Sequence, residues 1–227
     1  MSAPVRNTRS GLTREQIADA ALALADAEGL DAVSMRTLAE RLGVGTMTLY
    51  GYFRSKDELL DALVDSAVGG TEPPPLEGAW TEQLREAVRH GRRGLLLHPS
   101  IVELRVRRPV LRPEALRFAE TLLGILRDAG FEVGEATAAF RLLFTYTVGF
   151  AALSPAEATE EDRGAARAAL AALPPDEFPA LTEARDEASI AMGGEEVFEY
   201  GLARIIDGLQ ARLAARGRRA TASSRTR

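Results

Sequence analysis

The sequence predicts an all-α chain, with an N-terminal three-helix head in helix-turn-helix arrangement plus a linking helix, then a C-terminal helical bundle. Three observations carry that prediction. Ser34 to Lys56 reads as a helix, a short turn and a second helix. Elsewhere apolar residues return at steps of three and four, as at Phe198, Leu202, Ile205, Leu209 and Leu213. Glycine and proline interrupt those repeats at Gly43, Gly69–Gly78, His98–Pro99 and Gly130.

Residues 1–10 are polar and carry Arg6 and Arg9, which reads as a flexible arm. Thr13 to Glu28 forms an amphipathic helix with Ile17, Ala21, Leu24 and Ala25 on one face. Ser34 is an N-cap for the next helix, whose apolar stripe is Leu38, Ala39 and Leu42. Gly43 stops it, because glycine accepts the left-handed conformation common at a helix end. Thr46 is a second N-cap candidate. Beyond it Met47, Tyr50 and Tyr52 are expected outward, and Leu49 and Phe53 inward. Lys56 to Val68 then repeats Leu59, Leu60, Leu63 and Val64 on one side. Two short helices joined this way are either a helical hairpin of an ordinary all-α domain or a helix-turn-helix, whose second helix lies in a DNA major groove.

The linker at 69–78, GGTEPPPLEG, separates a head at 1–68 from a second domain at 79–216. Trp80, Leu84, Ala87, Val88 and Gly91 share a helix face that ends at His98–Pro99, since proline disfavours helical geometry in the residue before it. A short helix follows around Ser100 to Val106. Pro113 suits the first turn of the next helix, which buries Leu116, Ala119, Leu122, Leu123 and Leu126 and stops at Gly130. Gly134 to Leu153 carries Phe140, Leu143, Phe144, Thr147, Val148 and Ala151. Between Ser154 and Glu187 nine acids face three arginines, the pattern of a solvated, partly helical, mobile insertion. Glu195 to Arg216 is the last helix, with Gly201 and Gly208 allowing close approach. A basic, disordered tail is expected at 217–227.

Composition narrows the function. The 227 residues are 46% hydrophobic and 27% charged, ordinary for a globular protein. Cysteine is absent, and histidine occurs only as His90 and His98. Disulfides, thiolate metal sites and cysteine nucleophiles are excluded, and a zinc site or Ser-His-Asp triad has little material. No phosphate-cradling glycine loop is present, so no catalytic residue, metal or cofactor is expected. No apolar run is read as a membrane span, and the N-terminus lacks a signal-peptide core, which makes the cytoplasm the expected compartment. Net charge is −5, and the segment before Asp57 has seven basic residues against six acids. That excess is too small to wrap DNA by charge alone; a dimer placing a few cations at each half-site fits better.

The head resembles the tetracycline-repressor family of one-component transcriptional regulators. The matching residues are Ile17–Ala18–Ala20–Ala21, Gly29–Leu30, Ser34–Met35–Arg36, Leu38–Ala39, Leu42–Gly43–Val44, Leu49–Tyr50, Tyr52–Phe53 and Lys56–Leu59–Leu60, in family order over Leu12 to Val68. Gly51 and Thr46–Met47 depart from the tetracycline-responsive branch. The resemblance implies double-stranded operator DNA as partner. Arg36 resembles a base-reading arginine, although it also lies where Glu40 can pair with it at i+4. Thr46, Met47, Thr48, Tyr50 and Tyr52 occupy the recognition helix. Met47 suits a thymine methyl, while Thr48 and the tyrosine hydroxyls suit phosphates, and Tyr50 is open to a half-core role. Lys56 resembles the family's phosphate-binding lysine.

For the C-terminal domain the resemblance implies an apolar ligand pocket and a homodimer interface. Candidate lining residues are Trp80, His98, Glu103, Phe118, Arg141, Phe144, Tyr146 and Thr147. The interface candidates are Phe140, Val148, Phe198, Leu202, Ile205 and Leu209, and FEYGLARIIDGL is similar to the family's C-terminal signature. Gly134–Leu153 holds no histidine, where tetracycline-responsive members use one, so tetracycline itself is not the expected ligand. The expected function is a homodimeric repressor of a palindromic operator, released by a small, mostly apolar molecule. The alternatives are a DNA-binding activator or regulator without a small-molecule ligand, and, against the composition, a helical enzyme.

Overall fold

Every regular element among the described residues is helical, and the local chemistry of each terminus explains where it starts and stops. The computed structural model describes residues 11–69, 75–107, 113–153, 159–186 and 194–224. The expected arm at 1–10 and the centre of the linker lie outside these.

Helix α1 (Arg14–Glu28) begins with a reciprocal capping box. The Thr13 hydroxyl accepts from the Gln16 amide at 3.2 Å, and the Gln16 side-chain oxygen accepts from the Thr13 amide at 2.9 Å, satisfying two donors that a helix start otherwise leaves open. Gly29 ends α1 at φ +88°. A 3₁₀ turn, Leu30–Ala32, leads to α2 (Met35–Leu42), then α3 (Thr46–Tyr50) and α4 (Lys56–Gly69). Ile17, Leu24, Leu38, Leu49, Phe53, Leu59 and Leu63 are almost wholly buried, so each helix gives its apolar stripe to one core.

The chain divides into two compact units that do not follow its linear order. The first comprises the described parts of Met1–Glu72 and Ser100–Leu116, the second those of Pro73–Pro99 and Arg117–Arg227. Helix α6 (Pro99–Arg107) therefore clusters with the head, whereas a linear reading assigned it to the second domain. Its Ile101, Val102 and Leu104 are buried. Ser100 bonds Asp26 of α1, and Arg107 Nη1 meets Asp31 at 3.0 Å.

In the second unit, α5 (Trp80–Leu97), α7 (Pro113–Asp128), α8 (Val133–Leu153) and α11 (Glu195–Ser224) share a core of Leu84, Val88, Leu122, Leu126, Phe131, Leu143, Phe198 and Leu202. Trp80 packs edge-on against Phe131 at 5.6 Å. Leu116, expected inside, is 42% exposed; it stands in the first turn of α7, ahead of the core positions. Helix α8 is long and apolar enough to cross a membrane by length and composition alone, a test that the core helix of a helical bundle also passes. Six of its residues, from Ala136 to Ala151, are buried in this unit.

Helices α9 (Glu160–Ala171) and α10 (Pro179–Glu183) contact each other and bury no residue, in keeping with the solvated, partly helical segment expected there. Helix α11 continues past Arg216 to Ser224, where a tail was expected. Arg212 and Arg216 reach back to Glu135 and Glu132, and the alanines and arginines beyond them are good helix formers.

Candidate nucleic-acid interface

The turn between α2 and α3 is built from its glycines. Ser34 caps α2, its hydroxyl accepting from the Thr37 amide at 3.0 Å. At the other end Gly43 adopts the left-handed conformation, φ 65° and ψ 30°, letting the Val44 amide donate back to the Ala39 carbonyl at 3.0 Å. Gly45, not Thr46, is the N-cap of α3. Thr46 is already helical, one position too late for its hydroxyl to cap.

Leu49 and Phe53 lock α3 into the head core, while Met47 is 80% and Tyr50 47% exposed. Thr46 and Thr48 are half-buried. The Arg36 side chain is 83% exposed and pairs with Glu40 at 3.2 Å; so exposed a pair holds the guanidinium weakly and leaves it able to meet a nucleic acid. Lys56, the chain's single lysine, is exposed at the first position of α4, where the helix dipole and cation together suit a phosphate.

Tyr52 corrects the outward position expected of it. It is half-buried, and its phenol donates to the Leu12 carbonyl at 2.8 Å, which makes it a brace between α3 and the start of α1. A second brace was missed in the sequence. Arg14 donates to Glu58 Oε1 at 2.8 Å and to the Tyr52 carbonyl, with its guanidinium 4.1 Å from the centre of the Phe53 ring. Glu58 Oε2 accepts from the Arg54 amide at 2.8 Å. These hydrogen bonds, the one from Arg54 foremost and then that from Arg14, hold the Glu58 carboxyl below its ordinary range. Ser55-x-x-Glu58 is a legible capping pattern, and the Glu58 amide does donate to Ser55 Oγ at 3.1 Å. Nothing in the sequence pairs Arg14 with a residue so distant.

The effector-pocket candidates are dispersed. In the second unit Trp80 packs on Phe131, and Phe118 lies against Gly91. His98 closes the end of α5. Arg141 is exposed, 5.9 Å from the Phe144 ring centre. Thr147 is 1% exposed and its hydroxyl donates to the Leu143 carbonyl at 2.7 Å, so its donor is used within α8. Glu103 belongs to the first unit and pairs with Arg107 there. Tyr146 stacks on Phe198 at 5.3 Å and donates to its carbonyl at 2.8 Å.

Of the interface candidates, Phe198 and Leu202 are 0% exposed and Val148 8%. Phe198 and Leu202 belong to the core of the second unit. Phe140, Ile205 and Leu209 are partly buried against that core. The exposed apolar side chains of α8 and α11 include Leu142, Leu153 and Tyr200 instead. Arg92, also missed, is buried with its guanidinium 4.4 Å from the Phe198 ring centre and paired to Glu195; Arg89 makes a bidentate pair with Glu199 at 2.7 Å. Together they clasp α5 to α11.

A helix-turn-helix head carrying an exposed second helix and flanking cations defines a DNA-binding protein of the transcription-regulator class. Comparison with known proteins gives the family. Residues 17–63 match the bacterial regulatory proteins of the tetR family, and 72–213 match the tetracyclin repressor-like C-terminal domain. The chain belongs to the tetracycline-repressor family of transcriptional regulators. It is 32% identical to the transcriptional repressor DrrR1 of Streptomyces coeruleorubidus, covering 94% of this chain and 83% of that protein. It is also 32% identical to the class C tetracycline repressor of Escherichia coli, over 88% of this chain and 91% of that one. Among solved structures, apo ActR of Streptomyces coelicolor superposes with a TM-score of 0.78 at 32% identity, covering 95% of this chain and 99% of that one. ActR in complex with actinorhodin gives 0.77 at the same identity, covering 89% and 97%.

Proposed function

We propose that this protein is a cytoplasmic repressor that binds a palindromic operator as a homodimer and is released by a small, mostly apolar molecule. One observation carries the reading: the recognition helix is fastened to the head by Leu49, Phe53, Tyr52 and Arg14, while Arg36, Met47, Tyr50 and Lys56 remain exposed. Arg36 reads guanine; Thr48, Tyr50 and Lys56 hold phosphates. A two-fold dimer presents two such heads to two half-sites. The α8 and α11 surfaces bearing Leu142, Leu153 and Tyr200 are the proposed contact between subunits. An effector releases the operator by preferring the conformation that does not bind it. ActR of Streptomyces coelicolor, crystallised in complex with actinorhodin, supports a small-molecule effector.

The test is selection of random-sequence DNA by the purified protein, with salt titration of the recovered sequence and sedimentation of the complex. A palindrome bound by two chains with steep salt dependence is the expected result; absence of any enriched sequence overturns the reading. Actinorhodin is the first release probe to titrate.

A further inference from the structure

One guanidinium of the second unit is buried more completely than its pairing explains. The Arg92 side chain on α5 is 9% exposed, and its Nε is buried with no hydrogen-bond partner among the described residues. Arginine carries five N–H donors in a fixed fork, and a charge taken out of water needs them matched. The carboxylate that meets it, through Nη1, is that of Glu195, whose side chain is 66% exposed. A partner so open to water holds weakly. Arg89, nearly one turn earlier, bonds Glu199 through Nε and Nη2, both at 2.7 Å. That pair already ties α5 to α11, which leaves the Arg92 charge without a structural duty equal to its cost.

Two further features meet at this guanidinium. Glu195 is the first residue of α11, and the Phe198 amide donates to the Gly194 carbonyl at 3.1 Å. A glycine, with no side chain to cap, thus stands where the opening amides and the helix dipole favour an anion. The Phe198 and Phe150 ring centres lie 4.4 and 5.7 Å from the guanidinium carbon, and Phe150 is only partly buried. We propose that Arg92, the start of α11 and the Phe150 ring form a subsite for an acidic group on the effector. The guanidinium exchanges exposed Glu195 for the carboxylate of an aromatic acid, which accepts from Nε while its ring packs on Phe150. This deepens the ligand-release reading above and rests on it.

The experiment uses the full-length protein without DNA. Benzoic, naphthoic and anthracenecarboxylic acids are titrated by calorimetry and thermal melting, each beside its own primary amide. At least one acid is expected to bind about tenfold or more tightly than its amide. Arg92→Met is expected to fold, because the Glu195 it leaves behind stays in water, and to weaken that acid about ten- to hundredfold, the range for a hydrogen bond to a charged group. Glu195→Gln removes the competing carboxylate and is expected to tighten the acid about two- to fivefold with the amide unchanged, a gain that a purely structural ion pair would not give. Acids and amides that bind alike, or not at all, overturn the proposal. So does a Glu195→Gln variant that binds the acid no more tightly than the parent. Acid that binds through Arg92 yet leaves the operator complex intact would strike the release reading alone, with the acidic subsite standing.

Discussion

The Asp26 carboxylate of α1 accepts from both the hydroxyl and the amide of Ser100, at 2.6 and 3.3 Å, and so caps α6 from another helix. Ser100 is 4% exposed, and a polar group so buried needs its partner. The chain passes from the second compact unit to the first at Pro99–Ser100, so this bond secures α6 where it enters the head. Asp26→Ala is expected to cost about 1–2 kcal/mol of stability, read as a lowered urea midpoint with an unchanged slope.

Arg14 and Glu58 brace the recognition helix, and Glu58 titrates with a lowered pKa. A carboxyl depressed by folding adds stability that is present above its ordinary pKa near 4.5 and disappears as pH falls through the lower folded value. Melting temperature is therefore expected to decline as pH drops below about 4.5, with Glu58→Gln flattening that decline. Identical pH profiles for parent and variant would remove Glu58 from the account.

Gly201 of α11 seats Tyr146 of α8. A Cβ there would lie 2.8 Å from Tyr146 Cζ and closer still to its oxygen. Gly201→Ala is expected to destabilise the second unit by about 1–3 kcal/mol through overpacking. Adding Tyr146→Phe removes the clashing oxygen and should recover part of the loss in a thermal-melt cycle, despite sacrificing the bond to the Phe198 carbonyl. Gly208, with nothing near its Cβ position, should accept alanine without cost.

Arg36 and Lys56 separate base reading from phosphate contact. Both are exposed, so alanine at either should leave stability within about 0.5 kcal/mol of the parent. Arg36→Ala is expected to weaken operator binding at least tenfold and to relax preference at one base pair per half-site. Lys56→Ala should weaken binding evenly across sequences and reduce the salt slope by about one per half-site. Competition binding against single-base operator variants at several salt concentrations distinguishes the two.

Much of the head was legible because its signals are local. Ser34, Gly43 and the Leu38–Ala39–Leu42 stripe predict α2 and its stop from neighbours within a turn or two, and the structure places them there. Leu49 inward and Met47 outward follow from helical period alone. Thr46 was misread because Gly45 caps nearly as well as threonine and precedes it. Tyr52 was misread for another reason: a hydroxyl in a sequence does not reveal which carbonyl it will find.

Sequence by itself determined the helical period, the turn glycines, the family and the outward positions of Met47 and Tyr50, since each is written in short-range pattern. Tertiary structure alone decided that Arg14 meets Glu58, that Asp26 caps Ser100 and draws α6 into the head's unit, and that Phe198 and Leu202 belong to the core of the second unit. An apolar stripe states that a face must be buried but not what buries it. Only the packed chain assigns each face a partner, and with it which side chains remain for DNA, effector or a second subunit.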